Sequence, residues 1–249
     1  MKQTESYLGL FSLGKETTKR IPLSALLEYR QERYRTAEIK IICGDCIKGM
    51  QELAEGSVDA VIADPPYGID YANTKGTRIK NDKRPYIWFL QEAFRATKEG
   101  GCALIFCRWD VAQDFRRAME LAGYRMRSQI IWDKMAHGMG DTRSQFGPMH
   151  ELILFGIKGR FAFPGKRPND VIHVPKVASA AMRHPNEKPA ALMEALIRAV
   201  TREGDTILDP FLGSGPTAEA CRNTGRQLIG YELEERYCEI AKKRIEEPF

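Results

Sequence analysis

A carboxylate, two prolines and a phenol stand in a row at Asp64-Pro65-Pro66-Tyr67, directly after Val58-Asp59-Ala60-Val61-Ile62-Ala63. That apolar run reads as a buried strand, so the four residues fall at a strand's carboxyl end. Proline fixes φ, lacks an N–H and pushes the residue before it to extended geometry. Asp64 is therefore expected to be held extended, with its own carbonyl and that of Pro65 outside any helix ladder. Tyr67 offers a flat ring beside them. Acceptors next to a stacking face suit a planar ring that carries an amino group, as in a nucleobase.

A second set lies far downstream. Thr206-Ile207-Leu208-Asp209-Pro210-Phe211-Leu212-Gly213-Ser214-Gly215 reads as strand, turn and glycine loop, with a helix from Pro216. Proline is tolerated at a helix's first position because that N–H has no partner anyway. Glu232 ends the next strand, Gln227-Leu228-Ile229-Gly230-Tyr231. A glycine loop at a helix start, with an acid about 20 residues on, is a geometry that grips a nucleoside by its ribose hydroxyls. Gly213-Ser214-Gly215-Pro216-Thr217-Ala218 also fits the dinucleotide fingerprint G-x-G-x-x-A. A nicotinamide dinucleotide-binding oxidoreductase is therefore an alternative, though that fingerprint normally opens a domain and leaves Asp64–Tyr67 without a purpose.

The elements that must position these residues alternate. Strands are expected at Ile39–Cys43, Val58–Ala63, Cys102–Cys107, Met126–Trp132, Glu151–Phe155, Thr206–Leu208 and Gln227–Tyr231. Helices are expected at Cys46–Glu55, Tyr86–Lys98, Val111–Ala122, Pro189–Thr201, Pro216–Asn223 and Glu235–Ile245. Such alternation predicts an α/β fold with a doubly wound, mainly parallel sheet, whose ligands sit at the strands' carboxyl ends. Residues 1–38 read as an N-terminal arm, and 39–155 with 184–249 as the catalytic domain. Residues 134–183 break the rhythm with scattered Gly, Pro and aromatics. Within them, 156–183 reads as an inserted target-recognition region, because long irregular segments in such folds usually bind.

At 249 residues the chain makes one large domain or one domain with an insertion. Its net charge of +5 permits nucleic acid without requiring it. Local clusters say more. Arg78 and Lys80 lie in the basic stretch Lys75–Arg84, and Arg160, Lys166 and Arg167 in the stretch from Lys158. Both are read as phosphate contacts. Cys43-Gly44-Asp45-Cys46 has metal or redox spacing, but no second pair accompanies it and no His sits at finger spacing. The six cysteines therefore read as inert thiols in a reducing compartment, and no metal is expected. No apolar run approaches the roughly 18 residues of a membrane helix, and no signal peptide is read at the N-terminus. A cytoplasmic protein is expected.

With these residues in place, the chain resembles the DNA methyltransferases that methylate amino groups using S-adenosylmethionine, over about Ile39 to Ile245. Three motifs carry the resemblance: D-P-P-Y at Asp64–Tyr67, H-P-N-E-K-P at His184–Pro189 and D-P-F-L-G-S-G at Asp209–Gly215. Catalytic motif first and cofactor motif last looks like the beta subgroup, a circular permutation of the class I methyltransferase fold. The resemblance implies roles. Asp64 and the Pro65 carbonyl would accept hydrogen bonds from the target amino group, with Pro66 stiffening the loop and Tyr67 stacking on the base. Asp209, Phe211, Gly213, Ser214 and Gly215 would cup the cofactor, Glu232 would take its ribose and Asp45 its adenine. His184, Asn186 and Lys188 would surround its methionine end. Pro216 departs from the threonine often found there.

It also implies double-stranded DNA as partner, a homodimer and a cognate restriction endonuclease. The expected target is N6 of a flipped-out adenine, because cytosine enzymes of this kind usually carry Ser at the position of Asp64. N4 of cytosine is the alternative, and a catalytically silent DNA-binding regulator a more distant one.

Overall fold

The computed structural model describes residues 37–68, 82–137, 143–178, 180–184 and 186–246. Its strands are β1 (Ile39–Cys43), β2 (Val58–Ala63), β3 (Thr97–Cys107), β4 (Arg125–Asp133), β5 (His150–Ile157), β6 (Val171–His173), β7 (Thr206–Asp209) and β8 (Gln227–Glu232). They form one sheet in the order β1-β8-β7-β2-β3-β5-β4-β6. Neighbours are parallel except β5, which runs antiparallel to both β3 and β4. The mainly parallel, doubly wound sheet expected from the alternation is present.

Helices cover both faces, which is why β2 reads as a nearly continuous apolar run rather than an alternating one. Ala60 and Ile62 face a layer made by α4 (Ala190–Val200), α5 (Pro216–Thr224) and α6 (Glu235–Glu246). Val61 and Ala63 face α1 (Cys46–Gln51), α2 (Leu90–Ala96) and α3 (Ala112–Ala122). A large side chain fully buried in such layers, Ile62 for one, contributes about 1.5–3 kcal/mol. Asp59, the polar residue of β2, pins three strands at their starts. It pairs with Lys98 Nζ at 2.8 Å and accepts from Thr206 N at 2.9 Å.

Three elements differ from expectation. The helix expected over Tyr86–Lys98 is confined to Leu90–Ala96, because Thr97 turns extended and opens β3. Gly101 then passes so close to β2 that an added Cβ would lie 2.7 Å from Asp59 O. The helix expected to reach Glu55 stops at Gln51. Residues 156–183 are not wholly set apart from the sheet. β5 runs on to Ile157, Phe161 and Phe163 pack on Phe155 at 5.4 and 5.8 Å, and β6 pairs with β4. Three residues are too few to show a period, so β6 left no pattern to read. Of the expected N-terminal arm only residues 37 and 38 are described; Glu38 O accepts from Leu228 N. Among the described residues no helix is long and apolar enough to cross a membrane.

Candidate active site

β2 and β7 are neighbours, with Ala60 opposite Ile207 and Val61 opposite Leu208. Their carboxyl ends, with those of β1 and β8, open on a cleft of about 1220 Å³ including its mouth. The two motifs separated along the chain therefore face each other across one space.

On the β2 side, Asp64 is gripped through both oxygens. Tyr67 Oη donates to Oδ1 at 2.5 Å, and Lys188 Nζ donates to Oδ2 at 2.6 Å. Glu151, at the start of β5, closes the group. Its Oε2 lies 3.2 Å from Lys188 Nζ and 3.4 Å from Tyr67 Oη, and its Oε1 lies 3.5 Å from Lys134 Nζ. Two carboxylates and two ammoniums balance in charge. Burial opposes ionisation of Glu151, but the ammoniums of Lys188 and Lys134 outweigh it and hold the carboxyl below its usual range. Burial likewise disfavours the Lys188 ammonium, yet Asp64 and Glu151 push its pKa up to about 12. Burial and the same two carboxylates keep the Tyr67 phenol protonated. The Pro-Pro loop is held by Tyr86 N donating to Pro66 O at 3.0 Å and Gly68 N donating to buried Asp82 at 2.6 Å. The carbonyl of buried Pro65 has no donor among the described residues.

On the β7 and β8 side the loop is tied down by its own backbone. Phe211 N donates to Asp209 Oδ1, Leu212 N to Tyr231 O and Gly213 N to Glu232 Oε2, at 2.9, 2.8 and 2.9 Å. Gly215 has φ +84, and an added Cβ would sit 2.8 Å from Ala241 Cβ. Here glycine is needed both for the left-handed turn and for close approach to α6. Phe211 meets Phe89 and Tyr86 edge to face, at 4.8 and 5.7 Å. Asp45 caps α1 through Lys48 N at 3.0 Å. His184 packs its ring on Tyr237 at 4.2 Å, and Asn186 takes a left-handed φ of 59°.

Beneath this loop Arg244 of α6 ties the parts together. Its guanidinium donates to Glu187 Oε1 at 2.6 Å and to Glu219 Oε2 at 2.5 Å. Glu187 Oε2 in turn accepts from the backbone N of Arg183 and His184, at 2.7 and 3.2 Å.

Asp209 is buried, and that desolvation raises its pKa to about 7 despite the Phe211 N–H it accepts. Thr217 Oγ1 lies by this carboxyl without a well-formed hydrogen bond. Between the ordinary value of 3.8 and about 7, the folded protein holds a proton that the unfolded chain has lost. This group's contribution to stability therefore falls as pH rises through that window and is flat above it. Urea melts of the wild type and Asp209→Asn across the window check this. The variant should lack that component of the slope, and parallel curves would show that the carboxyl is not its source.

The cleft gathers Asp45, Asp64, Pro65, Pro66, Tyr67, His184, Asn186, Lys188, Asp209, Phe211, Gly213, Ser214 and Glu232, with Gly215 just behind. Lys188, expected by a cofactor's methionine end, lines the cleft with its ammonium between Asp64 and Glu151. Arg160, read as a phosphate contact, stands apart from this group. It follows the far end of β5, where its carbonyl meets Gly100. An eight-residue strand puts it roughly 25 Å from the cleft. Lys158 beside it spends its ammonium on the carbonyls of Phe94 and Thr97. Lys166 and Arg167 lie on the stretch returning toward β6. Arg78 and Lys80 lie outside the described residues. Sequence reasoning missed Glu151, Lys134, Asp82 and Arg244, none of which sits in a motif.

The cleft also fits a cationic nucleoside. Among the described residues, Asp45, Asp64, Asp82, Glu187, Glu232 and Glu234 line it against one lysine, Lys188. Such a surface favours a sulfonium ligand and disfavours a pyrophosphate.

A protein-family profile described as DNA methylase matches residues 58–179 and 165–243. The chain is 32% identical to type II methyltransferase M.HpaI of Haemophilus parainfluenzae, over 84% of this chain and 75% of that protein. It is similar to the crystal structure of the M1.HpyAVI–SAM complex at 27% identity and a TM-score of 0.65, covering 83% of this chain and 99% of the other. The PvuII cytosine-N4-specific DNA methyltransferase shares the fold with a TM-score of 0.68 at 17% identity, over 84% of this chain and 86% of that one.

Proposed function

Because this chain belongs to the DNA methylase family, we propose that it transfers a methyl group from S-adenosylmethionine to N6 of an adenine flipped out of double-stranded DNA. The observation that carries the reading is the Asp64 carboxylate, fixed at the mouth of the β2 loop beside the Pro65 carbonyl and facing the glycine loop. S-adenosylmethionine, when bound, supplies a methyl group already activated on sulfur. The chain's own task is then position more than strong acid–base chemistry.

Asp64 and the Pro65 carbonyl accept the two N–H bonds of the target amino group. This holds the nitrogen pyramidal and withdraws its lone pair from the ring. Asp64, braced by Lys188 and Tyr67, takes the proton that leaves afterwards. Tyr67 offers its ring to the base while its hydroxyl braces Asp64, and base stacking on an aromatic is worth about 1–3 kcal/mol. That offsets part of the few kcal/mol that flipping costs. Phe211, Gly213, Ser214 and Gly215 hold the donor's nucleoside, with Glu232 on the ribose and Asp45 on the adenine. His184 and Asn186 lie toward its methionine end. Acid residues around the cleft and the glycine turn support a sulfonium nucleoside over a nicotinamide dinucleotide.

Asp64 also supports adenine over cytosine N4, the second reading. Sequencing DNA from a host that expresses the chain, with modification detection, gives the recognition sequence. Digesting DNA treated with protein and labelled donor then identifies the nucleoside. Label in N6-methyladenine is expected; label in N4-methylcytosine would move the target and leave the fold and the donor as they are.

Residues in 156–183 select the sequence on this reading, with Lys166 and Arg167 on phosphates. Neutralising either should weaken all sequences alike and lower the salt slope of binding by about one. Arg160→Gln, remote from the cleft, should leave the slope unchanged. The opposite pattern would place the DNA on the other end of the sheet. We further infer a cytoplasmic enzyme that pairs with a second copy and acts alongside a separate cognate endonuclease. The type II names of its relatives support the endonuclease.

A further inference from the structure

Lys188 has a donor to spare. An ammonium carries three N–H bonds, and Asp64 Oδ2 at 2.6 Å and Glu151 Oε2 at 3.2 Å take two. The third has no acceptor among the described residues. The side chain reaches in from the turn before α4 and is 4% exposed, yet it lines the cleft. Its Nζ sits 5.3 Å from the Phe106 ring centroid and 5.7 Å from that of Tyr67, so aromatic walls restrict where the free N–H can point.

A donor and an acceptor side by side at 2.6 Å read an edge with a complementary pair at similar spacing. An amino nitrogen and the ring nitrogen beside it, one carbon apart, form such a pair. Resting on the DNA methylation reading above, we propose that the third N–H of Lys188 donates to the bare ring nitrogen next to the target amino group, N1 of adenine, while Asp64 accepts from the amino group itself. The pair then selects a base by its Watson–Crick edge, as enzymes that flip bases do. Guanine and thymine present a ring N–H and a carbonyl in those places, so donor would meet donor and acceptor would meet acceptor. Cytosine N3 and N4 repeat the adenine pattern, so this contact excludes the oxo bases and leaves the choice between the two amino bases to pocket size. The two carboxylates flanking Lys188 spread its charge, which limits how far it draws electrons from the amino nitrogen.

The test uses duplexes of the recognition sequence found by host sequencing, with the target opposite an abasic site so that no base pair is lost on flipping. One carries adenine, the other 1-deazaadenine, in which a C–H replaces N1. Wild-type kcat/KM should fall about 10–100-fold on the deaza duplex, the size of one hydrogen bond from a charged donor. Equal rates overturn the proposal. Lys188→Met should methylate slowly with the ratio near one. A ratio kept as in the wild type overturns the assignment to Lys188, as does a loss seen only in donor affinity. If Lys188→Met does not fold, Lys188→Arg keeps the charge but displaces the N–H and should shrink the ratio; an unchanged ratio counts against the proposal. A protein that methylates neither duplex nor the natural site fails the reading of function. One that methylates the natural site and ignores the deaza change fails only this inference.

Discussion

Asp64→Ala is expected to lower methyl transfer by at least about 10²-fold while donor and DNA affinity stay within about tenfold. Among the described residues its side chain bonds no part of the donor loop. Its partners are Tyr67 and Lys188. What it offers is an acceptor fixed where the amino group must arrive, and such a group acts on the barrier more than on ground-state binding. The variant leaves Lys188 paired with Glu151, so the cluster keeps a counter-charge. Single-turnover rates, with donor binding by calorimetry and a melting curve, separate the effects. Near-normal turnover would sink the assignment, and an unfolded variant would show up in the melt.

Arg244→Met should cost stability rather than chemistry. Arg244 is 9% exposed and bonds Glu187 and Glu219 together. Breaking a buried charge network from one side costs about 3–5 kcal/mol, because the abandoned Glu187 carboxylate stays in a place poor in water. Against a typical total of about 5–15 kcal/mol that is severe. Burial opposes ionisation of Glu187, and the Arg244 hydrogen bond and charge outweigh it and hold the carboxyl below its usual range. Glu187 also anchors the amides of Arg183 and His184, so donor affinity should weaken in step. Urea denaturation followed by donor titration checks both. An unchanged midpoint would mean that the network adds nothing.

The catalytic and glycine motifs were legible because each is local: a few consecutive residues whose types dictate a turn. Glu151 was not. It stands in an ordinary strand, 84 positions from Tyr67, and only the antiparallel placement of β5 brings its carboxylate to Tyr67 and Lys188. Lys188 was legible as a motif member but not in its contacts, since its partner Asp64 is 124 positions away. The basic run after Lys158 shows the same limit. Charge was visible, but one cation caps α2 and Arg160 sits at the far end of the sheet. Strand order itself leaves no trace in local periodicity.

That order has a bearing on how the protein is made. β7 lies between β2 and β8, and β1 pairs with β8 alone. As the chain leaves the ribosome, β2 presents an apolar strand with an open hydrogen-bonding edge until β7, about 140 residues later, has emerged. Such an edge recruits other strands. Completion of the sheet centre and creation of the donor loop are the same late event, so a chain terminated before β7 carries Asp64–Tyr67 without the loop that faces it.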